Sequence, residues 1–175
     1  LFFSLVKKYL VPAREDRILE VGCSRGTLLQ KIQDIAPNSY GIDINRKAID
    51  AGVTSNLQAM DATKLKFPDG FFDKIYTAHT IEHIPNLLHA LQEMDRVLKR
   101  GGRALLIYPA EPIRGLFCIP SAFLLRENPL AIHIHKLSPK RLMEEFIPQT
   151  QFRHIESRFS FFPIPPQYLT ILEKE

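Results

Sequence analysis

Two acidic strand ends and a small-residue turn carry the chemistry most directly readable in this chain. Ile18-Leu19-Glu20-Val21-Gly22-Cys23-Ser24-Arg25-Gly26-Thr27-Leu28-Leu29 reads as a buried strand, a tight turn and a helix start. Gly41-Ile42-Asp43-Ile44 reads as a second strand that delivers a carboxylate. Together they predict a nucleotide-sized site at the carboxyl edge of a parallel sheet. Asp43 stands 17 residues after Gly26. A carboxylate there can accept hydrogen bonds from both vicinal hydroxyls of a ribose, which neutral side chains cannot match; the alternative is a helix-capping or surface aspartate. The glycine spacing narrows the ligand. A dinucleotide fingerprint needs G-x-G-x-x-G, with a pyrophosphate on the helix N-terminus. Here the order is Gly22-x-Ser24-x-Gly26 with threonine at 27, and no Gly-Lys-Ser/Thr follows that would make a P-loop. The turn suits a ligand that needs close backbone approach but carries no phosphate.

Three further groups of residues invite chemistry. Asp61-Ala62 follows a third short strand; alone, Asp61 is equally a turn residue. His79-Thr80-Ile81-Glu82-His83 spells H-x-x-E-H, which on a helix would set two histidines on one face for zinc. Its context argues against that helix, because Phe72 to Ala78 reads as a strand and Pro85 follows at once. His133-Ile134-His135 alternates like an extended segment and offers either a metal or base pair or two surface histidines.

The segment from Glu20 to Gly26 resembles motif I of the class I S-adenosylmethionine-dependent methyltransferases, usually Glu/Asp-x-Gly-x-Gly-x-Gly, with Ser24 in place of its middle glycine. Asp61-Ala62, running on through Leu65-Lys66-Phe67-Pro68 to Phe72-Asp73, is similar to that family's Asp-Ala…Leu-Pro-Phe…Phe-Asp stretch, and Glu82-His83-Ile84-Pro85 to its Glu-His-Ile-Pro segment after strand four. The resemblance covers about Asp16 to Lys174. It implies S-adenosyl-L-methionine as cofactor, with Glu20, Gly22, Cys23, Ser24, Gly26, Asp43, Ile44, Asp61, Ala62, Thr77 and Ala78 as its binding set. In that reading Asp43 holds the ribose, Asp61 accepts from the adenine amino group and Ala62 offers its backbone N–H to the ring. Met60 or Leu65 would pack on the ring face. Ser24 would bring a small Cβ and hydroxyl against the methionine end, tightening the pocket. Thr77, Ala78 and His79 would face the sulfonium or the acceptor, while Glu82 and His83 orient the loop. An acceptor that enters protonated needs a base, and His79 or His83 suits that role near neutral pH; His79, nearer the strand end, is favoured. Tyr108, Glu111 and Arg114 are the other candidates to touch substrate. The competing readings are an NAD-dependent oxidoreductase, disfavoured by the missing third glycine, and a non-catalytic cofactor-binding or partner-recognition module on the same fold.

The elements that position these residues alternate along the chain. Leu1 to Val11 has helical spacing and ends near Pro12. Strands are predicted at 17–21, 40–44, 57–60, 72–78 and 103–108, and helices at 27–35, 46–51 (capped by Asn45) and 86–98, the last ended by Gly101-Gly102. Ser138-Pro139 starts a helix to Phe146, and 152–162 and 168–172 make a terminal hairpin across a proline-rich turn. The expected fold is α/β: a doubly wound, seven-stranded, mostly parallel sheet with an antiparallel terminal hairpin, in one domain over 1–175. Nine of the thirteen prolines but only one of the eight glycines lie beyond Tyr108. That shift marks 109–136 as an expected substrate lid. Its aromatic content, with Phe159, Phe161 and Phe162, suits an apolar small-molecule acceptor, a core or a dimer contact alike. Net charge is +4, but the basic residues are scattered, so nucleic acid is not an expected partner. No apolar run is long enough to span a bilayer. Cys23 and Cys118 form no disulfide framework, which fits a cytoplasmic setting. Mean hydropathy of -0.09 is ordinary for a globular chain.

Overall fold

The computed structural model describes residues 1–110, 134–161 and 166–175. Seven strands form one sheet: β1 (Ile18–Val21), β2 (Tyr40–Asp43), β3 (Leu57–Ala59), β4 (Phe72–Ala78), β5 (Leu98–Pro109), β6 (Phe152–Ser160) and β7 (Gln167–Lys174). Their spatial order is β3-β2-β1-β4-β5-β7-β6. The first five run parallel, and β7 inserts antiparallel between β5 and β6. This is the doubly wound sheet with a terminal hairpin that the alternating pattern predicts. The order reverses at the β1–β4 pair, so a crevice opens beyond the carboxyl ends of those two strands.

Helices cover both faces because neighbouring strand residues point opposite ways. Ile18, Tyr76, Leu105 and Ile107 pack with Val6 and Leu10 of α1 (Phe2–Leu10) and Ile32 of α2 (Thr27–Gln33). Leu19, Ile75, Ala104 and Leu106 pack instead with Leu91 and Met94 of α4 (Leu87–Val97) and with Leu142 and Ile147. Asn45 caps α3 (Arg46–Asp50) through the N–H of Ala48, and Asn86 caps α4 through that of His89. Ser138 likewise accepts from Arg141, but the expected helix is α-helical only over Pro139–Arg141 and widens to a π turn over Leu142–Phe146.

The Gly101-Gly102 pair has a different job from the one expected. The helix stops at Val97, and Leu98 is already extended and paired with Phe72. Lys74 next pairs with Arg103, so the residues between bulge out of the ladder. Gly101 takes a left-handed φ of +72°, and a Cβ on Gly102 would stand 2.8 Å from the Lys99 carbonyl oxygen. The glycines therefore shape the entry to β5 rather than cap α4. The expected lid lies, but for its ends, outside the described residues, as does the turn between β6 and β7. No helix among the described residues is long and apolar enough to cross a membrane.

Candidate functional site

The crevice is built first by backbone. At the end of β1 the N–H groups of Gly22 and Cys23 both donate to the Ile42 carbonyl, at 2.8 and 2.9 Å, tying the turn to β2. Gly26 N–H closes the turn on the Cys23 carbonyl at 2.8 Å. Gly22, Ser24 and Gly26 all have positive φ. Gly22 is required twice over, because a Cβ there would overlap the hydroxyl and methyl of Thr80. Ser24 takes a φ of +49°, which costs a non-glycine residue about 1–2 kcal/mol. Its N–H is held at 2.7 Å by Asp43 Oδ2. Asp43 Oδ1 accepts from Asn45 N–H at 2.8 Å. The carboxylate is thus clamped between the turns after β1 and β2, and each oxygen keeps a lone pair for a ligand.

Asp61, after β3, accepts from both the N–H and the hydroxyl of Thr63 at 2.8 Å. Those two bonds hold its carboxyl below the ordinary aspartate value. Only Oδ1 is engaged, which leaves Oδ2 without a hydrogen bond among the described residues. Across the crevice, β4 ends at Ala78. His79 then takes a φ of +55° and donates its N–H to Ile107 at 2.9 Å, which turns its ring off the strand line. The ring Nε2 lies 3.1 Å from Gln167 Oε1 of β7, and Nδ1 lies 3.6 Å from Glu82 Oε1. His83 Nε2 is 3.9 Å from that same glutamate oxygen.

These walls enclose a cavity of about 650 Å³. Of the predicted residues, Gly22, Ser24, Asp43, Ile44, Asp61 and Ala62 lie on its wall, and so do Ala78, His79 and His83 opposite. Four others do not. Glu20 is 4% exposed and points to Tyr76, whose hydroxyl donates to it at 3.0 Å. Burial pushes the Glu20 carboxyl up to about 8. Cys23 is turned into the core, where burial pushes its thiol up to about 12. Gly26 serves packing: a Cβ would come within 2.8 Å of Leu57. Thr77 is wholly buried, its hydroxyl without a hydrogen-bond partner among the described residues.

Tyr108 is also buried, its hydroxyl tied to Thr170 at 2.8 Å, so it does not reach the cavity as expected of a substrate contact. Glu111, Arg114 and His133 lie outside the described residues. His135 clasps the loop after β4: its N–H donates to the Glu82 carbonyl at 3.0 Å, and its ring Nε2 lies 2.9 Å from the Ile84 carbonyl. The helix that a zinc pair in H-x-x-E-H requires is not formed. His79 belongs to the strand end, and only Ile81–His83 coil, as a 3-10 turn. Thr63, Thr80 and Asn86 also line the cavity. Thr80 and Asn86 are residues that the sequence pattern offered only as a motif filler and the first residue of a helix.

The donor set discriminates between ligands. Among the described residues, the cavity wall carries the carboxylates of Asp43 and Asp61 and no lysine or arginine. The turn N–H groups of Gly22, Cys23, Ser24 and Gly26 are all committed to protein acceptors. A pyrophosphate would find no lysine or arginine on that wall, and these four N–H groups are already engaged. An adenosyl sulfonium fits: a clamped carboxylate stands ready for a ribose diol, a second one for an exocyclic amine, and no cation repels the positive sulfur.

Fold and site together define the Rossmann-like class of S-adenosylmethionine-dependent methyltransferases. A family described as "Methyltransferase domain" matches residues 19–106, just over half of the chain, and the chain belongs to that family. It is 33% identical over 109 residues to the ubiquinone/menaquinone biosynthesis C-methyltransferase UbiE of Coxiella burnetii, covering 55% of this chain and 44% of that protein. It is 34% identical over 96 residues to the sterol 4-C-methyltransferase strm-1 of Caenorhabditis elegans, covering 49% and 28%. The chain thus spans less than half the length of these curated relatives. In structure it is similar to a SAM-dependent methyltransferase from Archaeoglobus fulgidus, with a TM-score of 0.74 at 18% identity, covering 99% of this chain and 93% of that one.

Proposed function

We propose that this chain is the catalytic domain of an S-adenosylmethionine-dependent methyltransferase that methylates a carbon atom of an apolar small molecule. The observation that carries the reading is Asp43, fixed by two backbone N–H groups at the mouth of a cavity whose described wall holds no lysine or arginine. The carbon acceptor is supported by the two relatives, both named as C-methyltransferases.

Bound in this cavity, S-adenosylmethionine supplies an activated methyl group. Asp43 would accept from the ribose hydroxyls and Asp61 from the adenine amino group. Ser24 and Gly22 would give the methionine arm its close backbone approach, and Ile44 and Met60 would pack against the base. The chain's remaining task is alignment and water exclusion. A carbon acceptor must also shed a proton. His79 is the proposed recipient, on a ring that lines the cavity beside the Glu82 carboxylate; His83 helps hold that carboxylate.

Calorimetry with S-adenosylmethionine, S-adenosylhomocysteine and NAD tests the first half. Heat is expected for the first two only. Hydrogen bonds to a charged group contribute about 1.5–3 kcal/mol each. Asp43→Asn, which also sets an amide N–H against a backbone donor, should therefore weaken S-adenosylmethionine by about 100-fold, or ~3 kcal/mol. Uptake of NAD with no heat for either sulfur ligand overturns the assignment. Labelled methyl transfer into apolar metabolite extracts then identifies the acceptor.

A further inference from the structure

The terminal hairpin contributes a residue to the crevice that no motif marks. Gln167 opens β7, is 2% exposed, and sets its side-chain oxygen 3.1 Å from His79 Nε2, 88 residues away in sequence. Its backbone is fixed on both sides of the strand, paired with Pro109 of β5 and Ser160 of β6, while Pro166 beside it accepts from Ala110 N–H at 2.9 Å. The strand continues through Leu169, Thr170, Ile171 and Leu172, all buried. A long amide in such a strand is unfavourable unless it is hydrogen-bonded. The described partner of this one is the His79 ring.

That ring is held from several directions. Its own backbone N–H is anchored to Ile107, the ring lies tilted against Phe2 with centroids 5.4 Å apart, and Nδ1 faces Glu82. A glutamine carbonyl only accepts, so a bond from Nε2 requires the hydrogen on that nitrogen.

We propose that Gln167 is a positioning residue: its carbonyl accepts the hydrogen of His79 Nε2 and so fixes the plane and tilt of that ring at the cavity wall. The link to methyl transfer rests on the function proposed above; the state of the ring does not.

The test reads the ring in the cofactor-free protein, by long-range proton–nitrogen correlation of ¹⁵N-histidine, with His79→Asn to assign the signals. The expected result is a protonated Nε2 in the wild type, a mixed or inverted pattern in Gln167→Leu, and recovery in Gln167→Glu, which keeps an acceptor in place. With an acceptor substrate in hand, Gln167→Leu should lose about tenfold or more in kcat, within the range a positioned base supplies. Its affinity for S-adenosylmethionine should stay within about twofold, since Gln167 is not on the cofactor wall. Melting curves confirm that each variant is folded, and Gln167→Met replaces the leucine variant if that one is not. An unprotonated Nε2 in the wild type overturns the proposal, as does an unchanged pattern in a folded apolar variant. Failure of S-adenosylmethionine to bind would remove the methyltransferase reading and leave this one standing.

Discussion

Glu20 places a pH-dependent load on the fold, and its replacement by glutamine should lift it. The carboxyl sits in the middle of β1, 4% exposed, with the Tyr76 hydroxyl as its side-chain partner. Burial dominates and raises it from an ordinary 4.5 to about 8, against the opposing pull of the Tyr76 hydrogen bond. The folded chain therefore holds this proton more tightly than the unfolded chain does. Stability from Glu20 is complete below pH 4.5 and is lost as pH rises toward about 8, where the folded carboxyl finally ionises. Each pH unit inside that window costs at most about 1.4 kcal/mol. The whole span from 4.5 to about 8 thus amounts to an upper bound on the order of 5 kcal/mol, comparable with a small domain's entire stability. Urea unfolding of wild type and Glu20→Gln at pH 5, 6, 7, 8 and 9 isolates the effect, because other titrations cancel in the difference. Glutamine keeps the volume and an acceptor for Tyr76. The variant should gain on the wild type steadily from pH 5 to 8 and by little beyond. Tyr76→Phe removes the stronger of two donors favouring the carboxylate, leaving the Leu29 backbone N–H, and should slide the window upward. A stability difference that stays flat across this range would refute the reasoning.

Two further outcomes follow from the turn after β1. Gly22→Ala must place a Cβ at a φ of +81° and against Thr80. The combined backbone and overpacking cost is about 2–5 kcal/mol, read as a lowered melting temperature. Adding Thr80→Ala should recover part of the overlap, because the Thr80 Cβ at 2.7 Å remains, and leave the backbone part; a double variant no more stable than Gly22→Ala would show that the Thr80 hydroxyl and methyl are not the obstacle. Cys23, 5% exposed with its thiol pushed up to about 12, should resist a disulfide reagent at pH 8 in a Cys118→Ser background and react at once in denaturant. Rapid labelling of the folded protein would contradict that burial.

What the sequence could and could not disclose divides along physical lines. β1 and the apolar run of β5 were legible because strands buried on both faces need nearly continuous apolar residues, and glycine and proline mark their ends. Asn45 and Ser138 were legible as caps because capping is local chemistry. The same doubly buried character hid the direction of Glu20. With no polar alternation along Ile18–Val21, motif position alone assigned it to the ligand, whereas Tyr76 of the neighbouring strand claims it. Gly101-Gly102 misled for a related reason: a glycine pair after an amphipathic helix reads as a stop, and only the pairing of Phe72 with Leu98 and of Lys74 with Arg103 reveals a bulge. The histidine after β4 shows the limit most clearly. Its type and place suggested a base, but its surroundings come from α1, the Glu82 turn and β7. A ring's usable nitrogen is decided by the groups that meet it in space, and Gln167 arrives there only because the last hairpin inserts antiparallel beside β5. Ligand-facing backbone can be read from local spacing; the state of a catalytic side chain depends on topology.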